Sequence, residues 1–376
     1  MGVQTQPTEI RISLGGSAYF AETESALRAS GRKQKLKTMK RRLLLLERLK
    51  RAALLVLLLC VVGMGESLAQ TQVATLQHGD SICAFYGTSA LYQAHDAAVD
   101  GDVITLSSGT FSATNISKNI TLNGAGCAYD TLSGTSPTYV TGNFTVSSSL
   151  NMEGLNIMST ITFSPMQSSD FIRCSFHEIN YSGYGAHFDN RFINCKIRSF
   201  HFASNGAFYD NTFFNCVINS FYLIDTNITH ITTAYNCVIR LWSSVHALQA
   251  NNCIISSDYD SDYLCNASIA ENCIGINNGE HDVFDCSNHN CMIVDSYSEV
   301  FVTYDGSFSE EEDYRLIDEI ATGFLGNDGT EVGIHGGMVP YQTRPFYLLP
   351  VRYNVANRST IDGKLSVEIE VITEGE

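Results

Sequence analysis

Four basic side chains stand one or three residues after a cysteine, a spacing that brings them together if the chain coils once between cysteines. They are His177, Lys196, Arg198 and Arg240. Because neighbouring strands lie about 4.8 Å apart, a two-strand offset would put Arg198 and Arg240 about 9 to 10 Å apart. Such an outward-facing cluster could hold the carboxylate of a uronate or supply the base of a lyase reaction. The alternative is that these cations only balance surrounding carboxylates.

Two carboxylates form a second candidate pair. Asp189 and Asp210 each lie six residues before a cysteine and are followed by asparagine. Retaining glycosidases hold their two carboxyl groups about 5 to 5.5 Å apart, close to one interstrand spacing, and paired carboxylates also bind calcium. The alternative is turn chemistry, since Asp-Asn is a common turn pair.

A third acidic group alternates along the chain at Asp258, Asp260 and Asp262. It resembles the first half of a calcium loop but lacks the later glycine and the bidentate glutamate. This stretch therefore predicts a solvated loop. We expect no metal site and no cofactor, with calcium as the alternative.

The element that must position these groups is a short phrase that recurs through the middle of the chain. It reads Phe-Ile-Asn-Cys at Phe192–Cys195 and Phe-Phe-Asn-Cys at Phe213–Cys216. The cysteines of the series are spaced 21, 21, 21, 16, 20 and 18 residues apart: Cys174, Cys195, Cys216, Cys237, Cys253, Cys273 and Cys291. A period near 20 residues is typical of stacked coils, whereas helical repeats need longer periods.

Each phrase predicts a bend between two strands. Side-chain alternation holds on either side of the phrase but breaks between asparagine and cysteine. Asparagine suits such a bend because it tolerates left-handed backbone angles. Stacking would then align the following residues into an amide ladder: Asn194, Asn215, Asn236, Asn252, Asn272 and Asn290.

The cysteine column has three interpretations: metal ligands, disulfide partners or small buried side chains. Zinc sites use paired Cys-x-x-Cys spacing, which the chain lacks. We therefore expect reduced thiols that point into a narrow core. Outside the column, Cys83 with Cys127 and Cys265 with Cys286 are candidate disulfide pairs, whose connectivity the sequence does not decide.

The repeat at Asp189–Ile197, repeated at Asp210–Ile218, resembles that of right-handed parallel β-helix proteins of the pectate-lyase-like superfamily. The resemblance covers roughly residues 85 to 340. It implies an all-β fold: a right-handed, single-stranded parallel β-helix with an N-terminal capping helix and a small C-terminal β cap. The superfamily includes lyases, hydrolases and adhesins, so the resemblance implies shape more than activity. The motifs of polygalacturonases and pectate lyases are not recognisable here, and their absence argues against an enzyme.

The N-terminal region has the parts of a signal peptide. A basic stretch at Met39–Arg42 precedes an apolar run at Ala52–Met64, and Ser67–Ala69 offers a cleavage site after Ala69. We expect Met39 to be the true start, with an uncleaved signal anchor as the alternative. The predicted organisation is an extension and signal peptide at 1–69, a β-helix domain at 70–340 and a β cap at 341–376.

The net charge and the predicted export limit the classes of partner that the protein can bind. The chain carries a formal net charge of −16, which becomes −23 after removal of residues 1–69. Such a surface repels nucleic acid and anionic membranes. We expect no transmembrane span in the mature chain, a secreted or outer-surface location on a bacterium, and polysaccharide or envelope proteins as partners.

The ends of the β-helix also carry predictions. Ser89–Gly101 predicts the capping helix, with Thr88 or Ser89 as its N-cap. The acidic run that ends at Asp313 predicts a solvated loop, and Gly329–Gly337 resembles the closing segment of secreted β-helix proteins. Leu365–Val371 alternates like a strand of the β cap.

The leading functional hypothesis is non-catalytic glycan binding or adhesion. The alternative is a polysaccharide lyase or glycoside hydrolase that works at the basic cluster or at the aspartate pair. A further alternative is a structural envelope protein. Fold alone does not choose among them.

Overall fold

Stacked parallel strands form a β-solenoid in the computed structural model, and almost all regular structure is β. The structure describes residues 72–130, 134–165, 168–181, 186–203, 207–224, 232–257, 263–264, 267–277, 282–309, 311–342, 360–361 and 364–365. The predicted all-β fold class and its stacked coils are confirmed. The predicted leader, the triplet Asp258, Asp260 and Asp262, and Cys265 lie outside the described residues.

Two long sheets make the walls of the solenoid. The first has twelve strands: β1 Val73–His78, β2 Ser81–Tyr86, β3 Val103–Leu106, β5 Ile120–Asn123, β8 Leu150–Glu153, β10 Asp170–Ile172, β13 Arg191–Ile193, β16 Thr212–Phe214, β18 Thr232–Tyr235, β20 Leu248–Asn251, β22 Ile269–Glu271 and β24 Ser287–His289. The second has eleven: β4 Gly109–Ser112, β6 Thr138–Thr141, β7 Phe144–Val146, β9 Asn156–Phe163, β11 Ser175–Tyr181, β14 Lys196–Ala203, β17 Val217–Ile224, β19 Val238–Leu241, β21 Ile254–Ser257, β23 Ile274–Asn277 and β25 Met292–Val294. Two short pairs complete the set: β12 Ala186–Phe188 with β15 Ala207–Tyr209, and β26 Thr360–Ile361 with β27 Lys364–Leu365.

The repeat builds the core by stacking like residues on neighbouring strands. Phe171, Phe192 and Phe213 are parallel-register partners. Their rings stack with centroids 4.8 and 4.9 Å apart and interplanar angles of 20° and 14°. All three side chains are fully buried. The aromatic residue of the phrase therefore points inward, as its parity in the sequence predicts.

The cysteine of each phrase fills the bend and replaces a missing part of the backbone ladder. The Cys216 thiol accepts the amide N–H of Cys195 at 3.4 Å and donates to the Phe192 carbonyl at 3.3 Å. Cys237 repeats the same pattern on the next coil. The thiols of Cys174 through Cys273 in the column are free and fully buried. The predicted reduced, inward-facing column is confirmed for these six residues, whereas Cys291 is free but half-buried. A thiol both donates and accepts, which explains why cysteine serves there better than alanine.

The N-terminal end is closed by a helix and a hairpin. Helix α1, Ala90–Ala97, buries Leu91 and Ala94 against the first strands. The predicted capping helix is confirmed, but it ends before Gly101 and Ser89 makes no side-chain cap bond. The antiparallel hairpin β1–β2, which pairs with β3, was not predicted. Strand β4 follows β3 closely and begins at Gly109.

The C-terminal part of the chain turns back along the side of the stack rather than extending it. We call residues 297–309 and 311–342 the C-terminal strap; it contains the 3-10 helix Tyr297–Glu299 and helix α2, Asp318–Gly323. The strap forms a second hydrophobic core with the residues directly after the cysteines: Val217, Val238, Ile254 and Ile274 pack with Tyr297, Val300, Phe301, Tyr304, Tyr314, Leu316, Val332 and Ile334. These positions face out of the solenoid, as predicted, yet they are buried beneath the strap.

The asparagine column is the surface on which the strap docks. All six asparagines have left-handed backbone angles, with φ from 50° to 54° for most and 49° at Asn215, so the predicted bend conformation is confirmed. The predicted continuous amide ladder is wrong, because most side chains turn to the strap. Asn215 donates to the carbonyls of Ile334 and Gly336 at 2.8 and 2.7 Å. Only Asn290 and Asn272 bond to each other.

Other column members extend this contact in order along the stack. Asn194 donates to the Pro340 carbonyl and Asn236 to the Glu331 carbonyl, while Asn252 bonds to Asn327. Strap glycines allow the close approach: a Cβ on Gly337 would lie 2.7 Å from the Asn236 side-chain oxygen, and its φ of +75° favours glycine. The Gly329–Gly337 stretch is thus a docking segment on the side of the solenoid.

Domain limits remain predictions. Of the expected β cap, the structure describes the antiparallel pair of β26 and β27, and the rest of 343–376 lies outside the described residues. The two α-helices of the described ranges have 8 and 6 residues, too few to cross a bilayer. Cys83 carries an exposed free thiol, so the suggested Cys83–Cys127 disulfide is not formed.

A buried histidine in the core predicts acid sensitivity. His187 is fully buried, contacts Tyr181 edge-on at 4.7 Å, and neither ring nitrogen has a hydrogen-bond partner. Burial lowers the pKa of His187 to about 4. In the unfolded chain His187 is protonated as pH falls through about 6.5, whereas in the folded chain it stays neutral down to about pH 4. We expect the free energy of unfolding to fall by about 3 kcal/mol between these pH values.

Chemical denaturation at pH 7, 5.5 and 4 measures this loss. The variant His187→Phe should flatten the dependence and keep more stability at pH 4. Substitution of the exposed His289 by phenylalanine is the control and should leave the slope unchanged. An unaltered slope in His187→Phe would show that other groups cause the acid sensitivity.

Candidate functional site

A cleft of about 880 Å³ lies where the strap meets the solenoid near its N-terminal half. Three parts of the chain line it: β6 with the segment before it, the first residues of β9 and β14, and the strap. The lining residues are Cys127, Ala128, Tyr129, Pro137, Tyr139, Asn156, Lys196, Glu311, Glu312, Asp313, His335, Tyr341 and Gln342. This volume lies within the usual range of small-molecule sites.

Lys196 is the predicted site residue that lines the cleft. It holds the position directly after a cysteine, where the next two coils carry Val217 and Val238. Its side chain is 5% exposed, and Nζ donates to the Glu312 carbonyl at 2.7 Å. Nζ also lies 5.4 and 5.6 Å from the ring centroids of Tyr314 and Tyr341. The strap therefore holds this ammonium group through a hydrogen bond and two cation–π contacts.

The acidic run forms one wall of the cleft. The Glu312 carboxylate accepts the Thr303 hydroxyl at 2.6 Å and the Asp313 and Tyr314 amides at 3.1 and 3.2 Å. Its role is to fold the loop. Glu311 and Asp313 are exposed, so their carboxylates face solvent beside the cleft. The predicted solvated loop is therefore confirmed for Glu311 and Asp313, while the Glu312 carbonyl ties the loop to Lys196 of the solenoid.

His335 and three tyrosines complete the cleft. His335 lies with Nε2 at 2.5 Å from the Asp313 carbonyl, which joins two parts of the strap. Tyr129 is 58% exposed, whereas Tyr139 and Tyr341 are half-buried. Burial raises the pKa of the Tyr341 hydroxyl well above its usual value, so this group stays neutral. The cleft therefore offers flat apolar rings beside groups that donate and accept hydrogen bonds.

The other predicted basic residues lie outside the cleft. His177 and Arg198 are exposed on the outer face of the second sheet. Arg240 is half-buried and donates to the Gly306 carbonyl at 3.1 Å and to Asn219 at 3.4 Å. Arg198 and Arg240 are on strands two apart, as expected. The strap nevertheless separates their environments, because it takes Lys196 and Arg240 into its own contacts and leaves Arg198 in solvent.

The predicted aspartate pair occupies turn positions. Asp189 and Asp210 are exposed and have φ of 57° and 54°. Asp189 accepts the Ser168 hydroxyl at 3.0 Å. The neighbouring Asn190 donates to the Asn211 side-chain oxygen at 2.8 Å, and both are fully buried. This arrangement favours turn chemistry over a catalytic pair.

Within the described ranges, no group of three or more histidine, cysteine, aspartate or glutamate side chains could hold a metal ion. Among the described residues, Asp189 and Asp210 therefore have no third acidic, histidine or cysteine ligand that would support calcium binding.

Sequence reasoning missed most of the cleft, because its residues come from segments without the repeat. Tyr129 and Tyr139 precede the regular coils, and His335 and Tyr341 follow them. One signal was present: a lysine stands at Lys196 in a column that is otherwise apolar in the following coils. A second missed feature is the outward aromatic row His201, Tyr222 and Trp242.

No protein-family model matches the chain, and no curated protein matches it.

Proposed function

We propose that this protein binds a glycan in the cleft without cleaving it, as a secreted or surface-held β-solenoid of a bacterium. The observation that carries the proposal is the combination of Tyr129, Tyr139 and Tyr341 with polar groups in one cleft of about 880 Å³. Sugar rings have apolar C–H faces and hydroxyl rims. Tyrosine rings suit the faces, and tyrosine hydroxyls and other polar groups suit the rims.

The polar groups of the cleft can both donate hydrogen bonds to sugar hydroxyls and accept hydrogen bonds from them. The Tyr129 and Tyr139 hydroxyls can donate and accept, and the exposed Glu311 and Asp313 carboxylates accept. The charges of the cleft have both signs, so a neutral or weakly charged glycan fits better than a polyanion. The leader-like N-terminal region supports export, and the repeat phrase supports membership of the pectate-lyase-like superfamily with a right-handed coil.

The second candidate is a polysaccharide lyase or hydrolase in the same cleft. Its specific support is that the exposed carboxylates of Glu311 and Asp313 stand with His335 around one cavity. Glycosidases need two carboxyl groups in acid and base or nucleophile roles, and a histidine is a common general base. Binding remains the leading proposal, because it needs only the tyrosine rings and polar groups that line the cleft.

A glycan array followed by a depolymerisation assay tests the proposal. We expect binding of at least one glycan and no new chain ends. Tyr139→Ala should weaken that binding by about tenfold or more, the equivalent of about 1.4 kcal/mol. Trp242→Ala is the matched control, since Trp242 is exposed but does not line the cleft, and it should bind normally.

Three other outcomes have distinct meanings. New reducing or unsaturated ends that disappear in Glu311→Gln or Asp313→Asn would replace the binding proposal with the enzymatic one. Glycan binding that is lost in Trp242→Ala and kept in Tyr139→Ala would move the site to the outer aromatic row. An array without any binding would favour a structural role in the envelope.

A further inference from the structure

The hairpin at the N-terminal end leaves an open strand edge. Strand β2 is the last strand of the twelve-stranded sheet. One of its edges pairs with β1 over six residue pairs, from Val73 opposite Tyr86 to His78 opposite Ser81. No strand in the described part of the chain pairs with its other edge.

The pairing pattern shows which backbone groups face outward. The Gly87 amide donates to the Gln72 carbonyl at 2.8 Å, at the next position of the β1–β2 register. Hydrogen-bonded pairs alternate along antiparallel strands. Phe85, Cys83 and Ser81 therefore bond to β1, and Ile82, Ala84 and Tyr86 direct their N–H and C=O groups to the open edge.

This edge lacks the usual protections against pairing. Natural sheets blunt open edges with charged side chains, proline, bulges or very short strands. Strand β2 has six residues, Ser81–Tyr86, without a charge or a proline. Its side chains include exposed apolar groups, with Ile82 69% and Tyr86 62% exposed.

We propose that a second copy of this chain pairs with β2 across a two-fold axis, so that two twelve-stranded sheets join edge to edge. A two-fold axis makes the two β2 strands antiparallel and self-complementary. Centred on Ala84, it places Ala84 opposite its own mate and Ile82 opposite Tyr86 of the partner. All three outward residues then enter the new ladder, and the exposed apolar side chains cover one another.

Charge favours a second copy over a cationic protein partner. The chain is acidic, with a formal charge of −16, so most of its surface repels another copy. The neutral strand β2 is a place where two acidic copies approach without like charges meeting. A basic partner would gain nothing from this edge, because β2 offers it no carboxylate.

The opposite end of the first sheet gives the competing arrangement. Strand β24, Ser287–His289, is also terminal and exposed. Pairing of β2 with β24 of another copy would be head-to-tail and would produce open chains rather than a closed dimer. The polar sequence Ser-Asn-His on β24 offers no cover for Ile82 and Tyr86, so the two-fold arrangement is the better match.

Sedimentation velocity of the purified protein, expressed from the full chain, tests the proposal. The wild type should sediment as a dimer at micromolar concentration. Ala84→Pro should be monomeric at every concentration at which the wild type is dimeric, because proline removes the outward N–H and leaves the β1 bonds intact. Ile82→Lys should also be monomeric, by placing a charge on the edge.

Tyr92→Lys is the matched control, since Tyr92 is an exposed apolar residue of α1 rather than of β2. It should remain dimeric. Circular dichroism checks that each variant is folded. A monomeric wild type, a dimer that persists in both edge variants, or a ladder of growing oligomers would each overturn the two-fold proposal.

Discussion

Replacement of Arg173 by methionine should lower the free energy of unfolding by about 3–5 kcal/mol. Arg173 stands where later phrases have asparagine, with φ of 49°. Its side chain is buried and forms an ion pair with Glu153. Loss of the guanidinium leaves the half-buried Glu153 carboxylate, 15% exposed, without its cation, which is the costly event. Urea denaturation followed by circular dichroism measures the change.

A double variant separates two effects of the Arg173 substitution: the unpaired Glu153 charge and the lost side-chain contact. Arg173→Met with Glu153→Gln should regain a large part of the stability, since no charge is then buried. Arg191→Met is the control, because its partner Asp170 and Arg191 itself are more exposed, and exposed pairs contribute at most about 1 kcal/mol. A loss in Arg173→Met no larger than in Arg191→Met would contradict this account of the pair.

Substitution of Asn215 by aspartate should detach the central part of the strap and destabilise the protein by about 3–5 kcal/mol, the cost of an uncompensated buried charge. Asn215 is 2% exposed and donates to two carbonyl oxygens, of Ile334 and Gly336. A carboxylate in its place would face both oxygens without a proton to donate. Hydrogen exchange at residues 332–341 should rise sharply, while exchange in the core strands stays slow.

The same variant should regain stability in acid. Burial beside two carbonyls raises the pKa of the new carboxyl in the folded state above its unfolded value. The folded state then binds the additional proton, so the defect grows as pH rises through that range and shrinks below it. Asn215→Gly, which keeps the left-handed angle but loses both bonds, should show no such pH dependence. Asn290→Asp, at an exposed position outside the strap contact, should cost little; equal damage there would contradict strap docking.

Much of the solenoid follows from local pattern. The inward direction of Phe192 and Phe213 follows from strict alternation, and the left-handed bend at Asn194 follows from the preference of asparagine. Burial of Cys195 and Cys216 follows from their parity. These features repeat on each coil, so a conformation predicted correctly for one copy of the repeat holds for the other copies along the stack.

The strap could not be predicted in this way, because its hydrogen bonds to the solenoid join residues 66 to 146 positions apart. Lys196 and Glu312 meet with a separation of 116 residues. The outward column of Val217 and Val238 carried a hint, since apolar residues on an outer face need a cover. The sequence pattern did not say which segment covers them. The side chain of Asn215 likewise had two options, its own column or a docking partner, and only the fold decides between them.

The most direct test of the account is a calorimetric titration of the array-identified glycan against wild type and Asn215→Asp. The cleft needs both the solenoid and the docked strap, because His335 lies between the two strap residues that Asn215 holds. We predict measurable binding by the wild type and its loss in Asn215→Asp at neutral pH, with the β-sheet circular dichroism signal retained. Unchanged affinity in a variant whose strap is shown to be released would contradict the cleft as the binding site.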